Sequence, residues 1–99
     1  MRDVIERVPE RYREDVKRGI DILKEAGCEE VYLFGSLING DDREESDIDI
    51  AVRGCPTGMY FHILGKLMLE LKYPVDLINL DKQDDFVKNL EKKGGLMYV

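Results

Sequence analysis

Two aspartates one residue apart, in Asp47-Ile48-Asp49, stand in a segment where acidic and branched residues alternate. Asp47, Asp49 and Ala51 fall on one side, and Ile48, Ile50 and Val52 on the other. That period of two predicts a strand with both carboxylates on one face, their Cα atoms about 6.6 Å apart. Carboxylates so placed repel each other unless cations lie between them. Hard cations such as Mg²⁺ take oxygen ligands, and phosphoryl-transfer sites hold two of them about 3.5–4 Å apart. A third acid, Asp76, lies within the apolar run Pro74-Val75-Asp76-Leu77-Ile78, where an unpaired buried charge would be costly. Alone it reads as a surface acid at a strand end; beside the paired acids on a neighbouring strand it is a candidate third metal ligand. Gly35-Ser36 ends the run Val31-Tyr32-Leu33-Phe34. Such a pair is usually a turn, but here its glycine would let backbone approach a phosphate, and its serine offers a hydroxyl and an N–H.

Other reactive side chains have plainer readings. Six of the nine positions from Asp41 to Asp49 are acidic, and Asp41, Asp42, Glu44 and Glu45 fit a solvated loop. His62 is the single imidazole and reads as a helix residue near the surface; one histidine does not build a zinc site. Cys28 and Cys55 are far apart in sequence and match no metal-ligand or redox spacing, so they are expected as reduced, packing thiols.

The elements that must position these groups follow from periodicity. Pro9 can open a helix in which Tyr12, Val16, Ile20 and Leu23 recur at helical spacing until Gly27 stops it, with Glu14 and Arg18 a favourable pair. Val31 to Phe34 reads as a buried strand and Asp47 to Val52 as the carboxylate-bearing one. After Gly54, Pro56 and Gly58, the stripe Tyr60, Ile63, Leu64, Leu67, Met68 and Leu71 predicts a core-packing helix. Pro74 to Leu80 gives another strand. Asp81 can cap a last helix containing Phe86, Val87 and Leu90, which Gly94-Gly95 closes before a terminal strand Leu96 to Val99. Tyr98 and Val99 on that edge strand offer a partner somewhere to dock. The fold class is α/β (α+β), a small mixed sheet with helices packed on it.

Composition sets the limits. The 99 residues read as one domain, 1–99, with 43% hydrophobic residues for a single core. Lys and Arg number 15 against 21 Asp and Glu, a net charge of −6 that argues against a nucleic-acid coat or a polybasic membrane-surface protein. The charged start Met1-Arg2-Asp3-Val4-Ile5-Glu6 lacks a signal-peptide pattern, and no run approaches the length of a membrane helix, so a cytoplasmic protein is expected. Charged residues are 36% of the chain while Asn and Gln are confined to Asn39, Asn79, Gln83 and Asn89, a balance common in heat-adapted proteins.

Taken together, Gly35-Ser36, a ten-residue gap, Asp47-Ile48-Asp49 with Ser46 before it, and Asp76 on a later strand resemble the minimal nucleotidyltransferases of the DNA polymerase β superfamily. They resemble especially the small antitoxins encoded beside HEPN-domain toxins. The segments from Pro74 to Asp81 and from Lys93 to Tyr98 extend the resemblance over nearly the whole chain. It implies a polymerase β-like palm fold in which Asp47 and Asp49 hold two Mg²⁺ ions on the triphosphate of ATP. Asp76 would complete the catalytic ion's shell and help deprotonate the acceptor, and Gly35 and Ser36 would hold the β- and γ-phosphates. The implied acceptor is a tyrosine of the HEPN toxin, silenced by AMP. Many relatives carry an arginine where this chain has Asn39, and Arg43, Arg53 and Lys66 are possible substitutes. A second reading is a binding module that masks the toxin without chemistry: the three aspartates favour catalysis, while Asn39 leans toward the mask.

Overall fold

The computed structural model describes residues 6–35, 47–82, 84–93 and 95–99. Pro9, at φ −54°, leads into helix α1 (Glu10–Glu25), where Tyr12, Val16, Ile20 and Leu23 are fully buried, as their spacing predicts. Strands β1 (Glu30–Phe34) and β2 (Ile48–Arg53) follow, then helix α2 (Tyr60–Glu70), strand β3 (Val75–Asn79), helix α3 (Asp85–Lys93) and the two-residue strand β4 (Met97–Tyr98). The sheet runs β3-β2-β1-β4. Antiparallel pairing joins β2 to β1 and β1 to β4, whereas β2 and β3 are parallel, because α2 carries the chain back across the sheet between them.

Alternation along the strands divides the core in two. Val31, Leu33, Ile48, Ile50, Val52 and Leu77 point toward α1 and α2. The opposite face carries Ala51, Tyr32, Phe34 and Ile78, covered by Leu80 and by Val87 and Leu90 of α3. The carboxylate side of β2 is therefore not wholly polar: Ala51 is fully buried there.

Four details differ from expectation. Asp84, rather than Asp81, caps α3, its Oδ1 accepting the Val87 N–H at 2.9 Å; Asp81 instead accepts the Gly54 N–H at 2.9 Å. Both acids precede the helix, and the start of the helix decides between them. Met68, at core spacing on α2, is exposed, because it lies at the margin of the buried arc. Val99 is buried with its N–H bonded to the Val31 carbonyl, so on β4 only Tyr98 is exposed, its ring edge-on to Tyr32. Arg18 pairs with Glu70 of α2 at 2.7 Å, tying the two helices together. Gly94 of the closing Gly94-Gly95 pair lies outside the described residues.

The cysteines correct the sequence reading. Cys28 and Cys55 form a disulfide. The antiparallel register that sets Glu30 against Arg53, continued past the strand ends by the Glu29 N–H to the Arg53 carbonyl, brings the two thiols face to face. Sequence spacing carries no information about that register.

Asp15 is buried in the middle of α1, and its carboxylate accepts the N–H groups of Lys72 at 2.7 Å and Tyr73 at 2.9 Å. It thus fixes the turn that feeds β3. Asp15→Ala leaves two amides without their partner, and we expect a loss of about 3 kcal/mol. Urea unfolding should show it as a lower midpoint at unchanged slope, and an unmoved midpoint would refute the role. Among the described residues no helix is long and apolar enough to cross a membrane.

Candidate active site

The end of β1 and the beginnings of β2 and β3 meet at one end of the sheet. In the register, Phe34 lies opposite Asp49, and Asp49 opposite Asp76 across the parallel pair, at the usual strand separation of about 4.8 Å. Both aspartates belong to the α3 side of the sheet, since Ile48, Ile50 and Leu77 beside them point to the other. Asp47 precedes β2 and is exposed, Asp49 is half-buried, and Asp76 is exposed. The strand pairing thus joins Asp49 to Asp76, which the sequence had placed only on separate strands.

Charge crowding shows in the protonation of the central residue. Burial, then the charge of Asp76, then that of Asp47, pushes the Asp49 carboxyl up to about 6. Tyr60, at the start of α2, donates its hydroxyl to the Leu77 carbonyl and senses the same field; burial first and Asp76 second raise its pKa. Nothing in the sequence singled out Tyr60 for this position.

Gly35 lies directly against Asp49. Its φ of +82° suits glycine, and a Cβ there would stand 2.9 Å from the Asp49 Cγ and nearer still to Oδ2. The glycine at the end of β1 therefore leaves room for the carboxylate as well as exposing backbone beside it. Gly35→Ala must turn Asp49 out of place and strain the turn. We expect a stability loss of about 2 kcal/mol and divalent-cation binding weakened at least about tenfold, read by calorimetry. Unchanged cation binding would disprove the coupling of Gly35 to Asp49.

The donor set is all carboxylate oxygen, which suits a hard cation such as Mg²⁺, and the repulsion at Asp49 is what a cation would relieve. Among the described residues, however, no three acidic, imidazole or thiol groups close into a metal-holding cluster. Asp47, Asp49 and Asp76 share one end of the sheet, where the charges of Asp76 and Asp47 bear on Asp49, short of a preformed three-ligand cage.

Ser36, Asn39, Arg43 and Ser46, with the loop acids Asp41, Asp42, Glu44 and Glu45, lie outside the described residues. Of the other cations considered beside Asn39, Arg53 sits at the far end of β2, bound to Glu91 at 3.0 Å, and Lys66 lies on the outer side of α2 near Glu70. Neither reaches the aspartates. His62 is exposed on α2, as expected for a surface helix residue.

Residues 17–99 match the family model for polymerase beta nucleotidyltransferases. No curated protein matches the chain. Among solved structures, it is similar to a crystal structure of a toxin–antitoxin with AMP-PNP, at 26% identity and a TM-score of 0.64, over 86% of this chain and 69% of that one. A mutant of the toxin–antitoxin MntA-HpeT shares the fold at 24% identity and a TM-score of 0.60, over 85% and 70% of the two chains. The parallel pairing of Asp49 with Asp76 beside a glycine turn thus occurs on a sheet of known kind, and the chain belongs to the polymerase beta nucleotidyltransferase family.

Proposed function

We propose that the protein is an antitoxin nucleotidyltransferase that moves AMP from ATP, with Mg²⁺, onto a tyrosine of a HEPN ribonuclease toxin and so silences it. The observation that carries this reading is the in-register pair Asp49 and Asp76 beside Gly35 on a nucleotidyltransferase fold. The likeness to a toxin–antitoxin structure with AMP-PNP supports the nucleotide and the class of partner.

In this reading Asp47, Asp49 and Asp76 hold the Mg²⁺ ions, and Gly35 and Ser36 hold the β- and γ-phosphates. When bound, the metal supplies the positive charge that neutralises the triphosphate and the leaving group. The tyrosine oxygen forms a bond to the α-phosphorus, the bond from that phosphorus to the bridging oxygen breaks, and pyrophosphate leaves. Asp76, exposed at the edge of the pair, takes the hydroxyl proton. The remaining work of the chain is positioning, which the rigid register of β2 and β3 performs. An ATP-consuming reaction on an intracellular ribonuclease belongs in the cytoplasm.

The test is to incubate the protein with labelled ATP, Mg²⁺ and the purified toxin and to locate the label. Label on a toxin tyrosine, lost when Asp47→Asn and Asp49→Asn are combined, is the expected result. Neutralisation of the toxin without any transfer would replace this reading with simple masking.

A further inference from the structure

Helix α2 turns an apolar face outward. Phe61, Met68 and Leu69 are 82%, 69% and 88% exposed. Between them sits Gly65, and beyond its chain neighbours and the backbone of its own helix no atom of the described residues lies within 4 Å of where its Cβ would stand. Gly19 of α1 is different: a Cβ there would lie in ordinary contact with Leu71, Ile50 and Leu67, at 3.4–3.6 Å. Glycine is the poorest helix former after proline. Gly65 thus weakens α2 without serving any packing among the described residues, and it does so at the centre of an exposed apolar stripe. A glycine so placed lets the backbone of another helix approach closely.

Charge decides what that helix carries. The stripe borders a shallow groove of about 330 Å³ lined by Phe61, His62, Gly65, Lys66 and Leu69. A second groove, of about 290 Å³, lies beyond Met68 and includes Lys72, Tyr73 and Pro74. Lys66 and Lys72 stand at the margins of the stripe on a chain of net charge −6; the one acid of α2, Glu70, is held by Arg18 at 2.7 Å and faces Lys66, while Glu25 of α1 lines the cleft on the α1 side of His62 and Lys66. A second copy of this chain suits the face poorly, since an antiparallel pairing centred on Gly65 brings Lys66 beside its own counterpart.

We infer that this face of α2 docks an amphipathic helix of the toxin, one with an apolar stripe flanked by aspartates or glutamates. The inference rests on the antitoxin reading but involves a surface separate from the aspartates: α2 lies on the sheet face opposite the one that bears Asp49.

Binding of the unmodified toxin to the full chain, measured by calorimetry, tests it. Leu69→Glu should weaken binding about a hundredfold and Lys66→Glu about tenfold. Gly65→Leu fills space that is open in the isolated chain, so it should keep or raise the melting temperature while weakening binding at least about tenfold. Binding of Mg²⁺ with ATP should remain as in the unaltered protein for all three. If the unaltered protein binds the toxin and every variant binds it within about twofold, the assignment of this face is wrong. A protein that is dimeric by itself and is split by Leu69→Glu would show a self-association surface and overturn the inference. Failure of the unaltered protein to bind toxin at all would remove the antitoxin reading first, and this docking face with it.

Discussion

Asp49→Asn should make the cation-free protein more stable at pH 7.5 while lowering nucleotide transfer on the order of 10³-fold. The carboxyl of Asp49 titrates at about 6 because burial and the charges of Asp76 and Asp47 disfavour its ionised form. Its folded pKa is therefore above the ordinary 3.8. A group raised in this way contributes its full stability below the ordinary value and loses it as pH climbs through the folded one, here between about 4 and 6. At neutral pH the folded protein carries a charge it would shed, at a cost of about 1 kcal/mol once solvent screening of a half-buried group is allowed for. Asparagine keeps the shape and removes the charge. On the proposed role of Asp49 as a cation ligand, transfer falls because that ligand is lost, an effect of several kcal/mol on the barrier. For the same reason Mg²⁺ should raise the melting temperature more at pH 8 than at pH 5. Melting curves across this range decide the matter: a variant less stable than its parent at pH 7.5, or a metal effect independent of pH, would contradict the charge crowding.

The second large effect is expected at the disulfide. Cys28 and Cys55 close a loop with a sequence separation of 27, which by chain entropy stabilises the fold by about 3.5 kcal/mol. Replacing both by serine, or reducing the bond, should lower the melting temperature by roughly 15–25 °C for a domain of this size. Thiol titration in guanidinium should find no free thiol before reduction and two after. Two thiols titrating at once, with a melting temperature indifferent to reductant, would restore the expectation of reduced cysteines.

Much of this architecture was legible in the sequence because it depends on local periodicity. The stripe from Tyr12 to Leu23 marked α1, and the alternation around Ile48, Ile50 and Val52 marked β2 and put Asp49 on the face away from them. Asp76 was readable as an acid on another strand, yet its pairing with Asp49 follows from a register that only the folded sheet defines. The disulfide was hidden for the same reason. Asp15 was hidden for another: an acid inside an amphipathic helix looks solvated until a backbone turn from far along the chain comes to rest on it. Exposure of Met68 shows where helical periodicity ends as a guide, since the same spacing serves the centre of a buried arc and its rim.

The parallel pairing of β2 with β3 also bears on when the protein becomes competent. Asp49 meets Asp76, and Asp15 grips the backbone of Lys72 and Tyr73 just ahead of β3, so both devices at this end of the sheet link distant parts of the chain. Contacts of long sequence separation form late, because the entropy of closing the loops must be met before they give anything back. A chain still emerging from the ribosome can build α1, β1 and β2 without possessing the pair of acids. The pair of acids is therefore complete only when the crossover through α2 has set β3 beside β2 and brought Asp76 to Asp49.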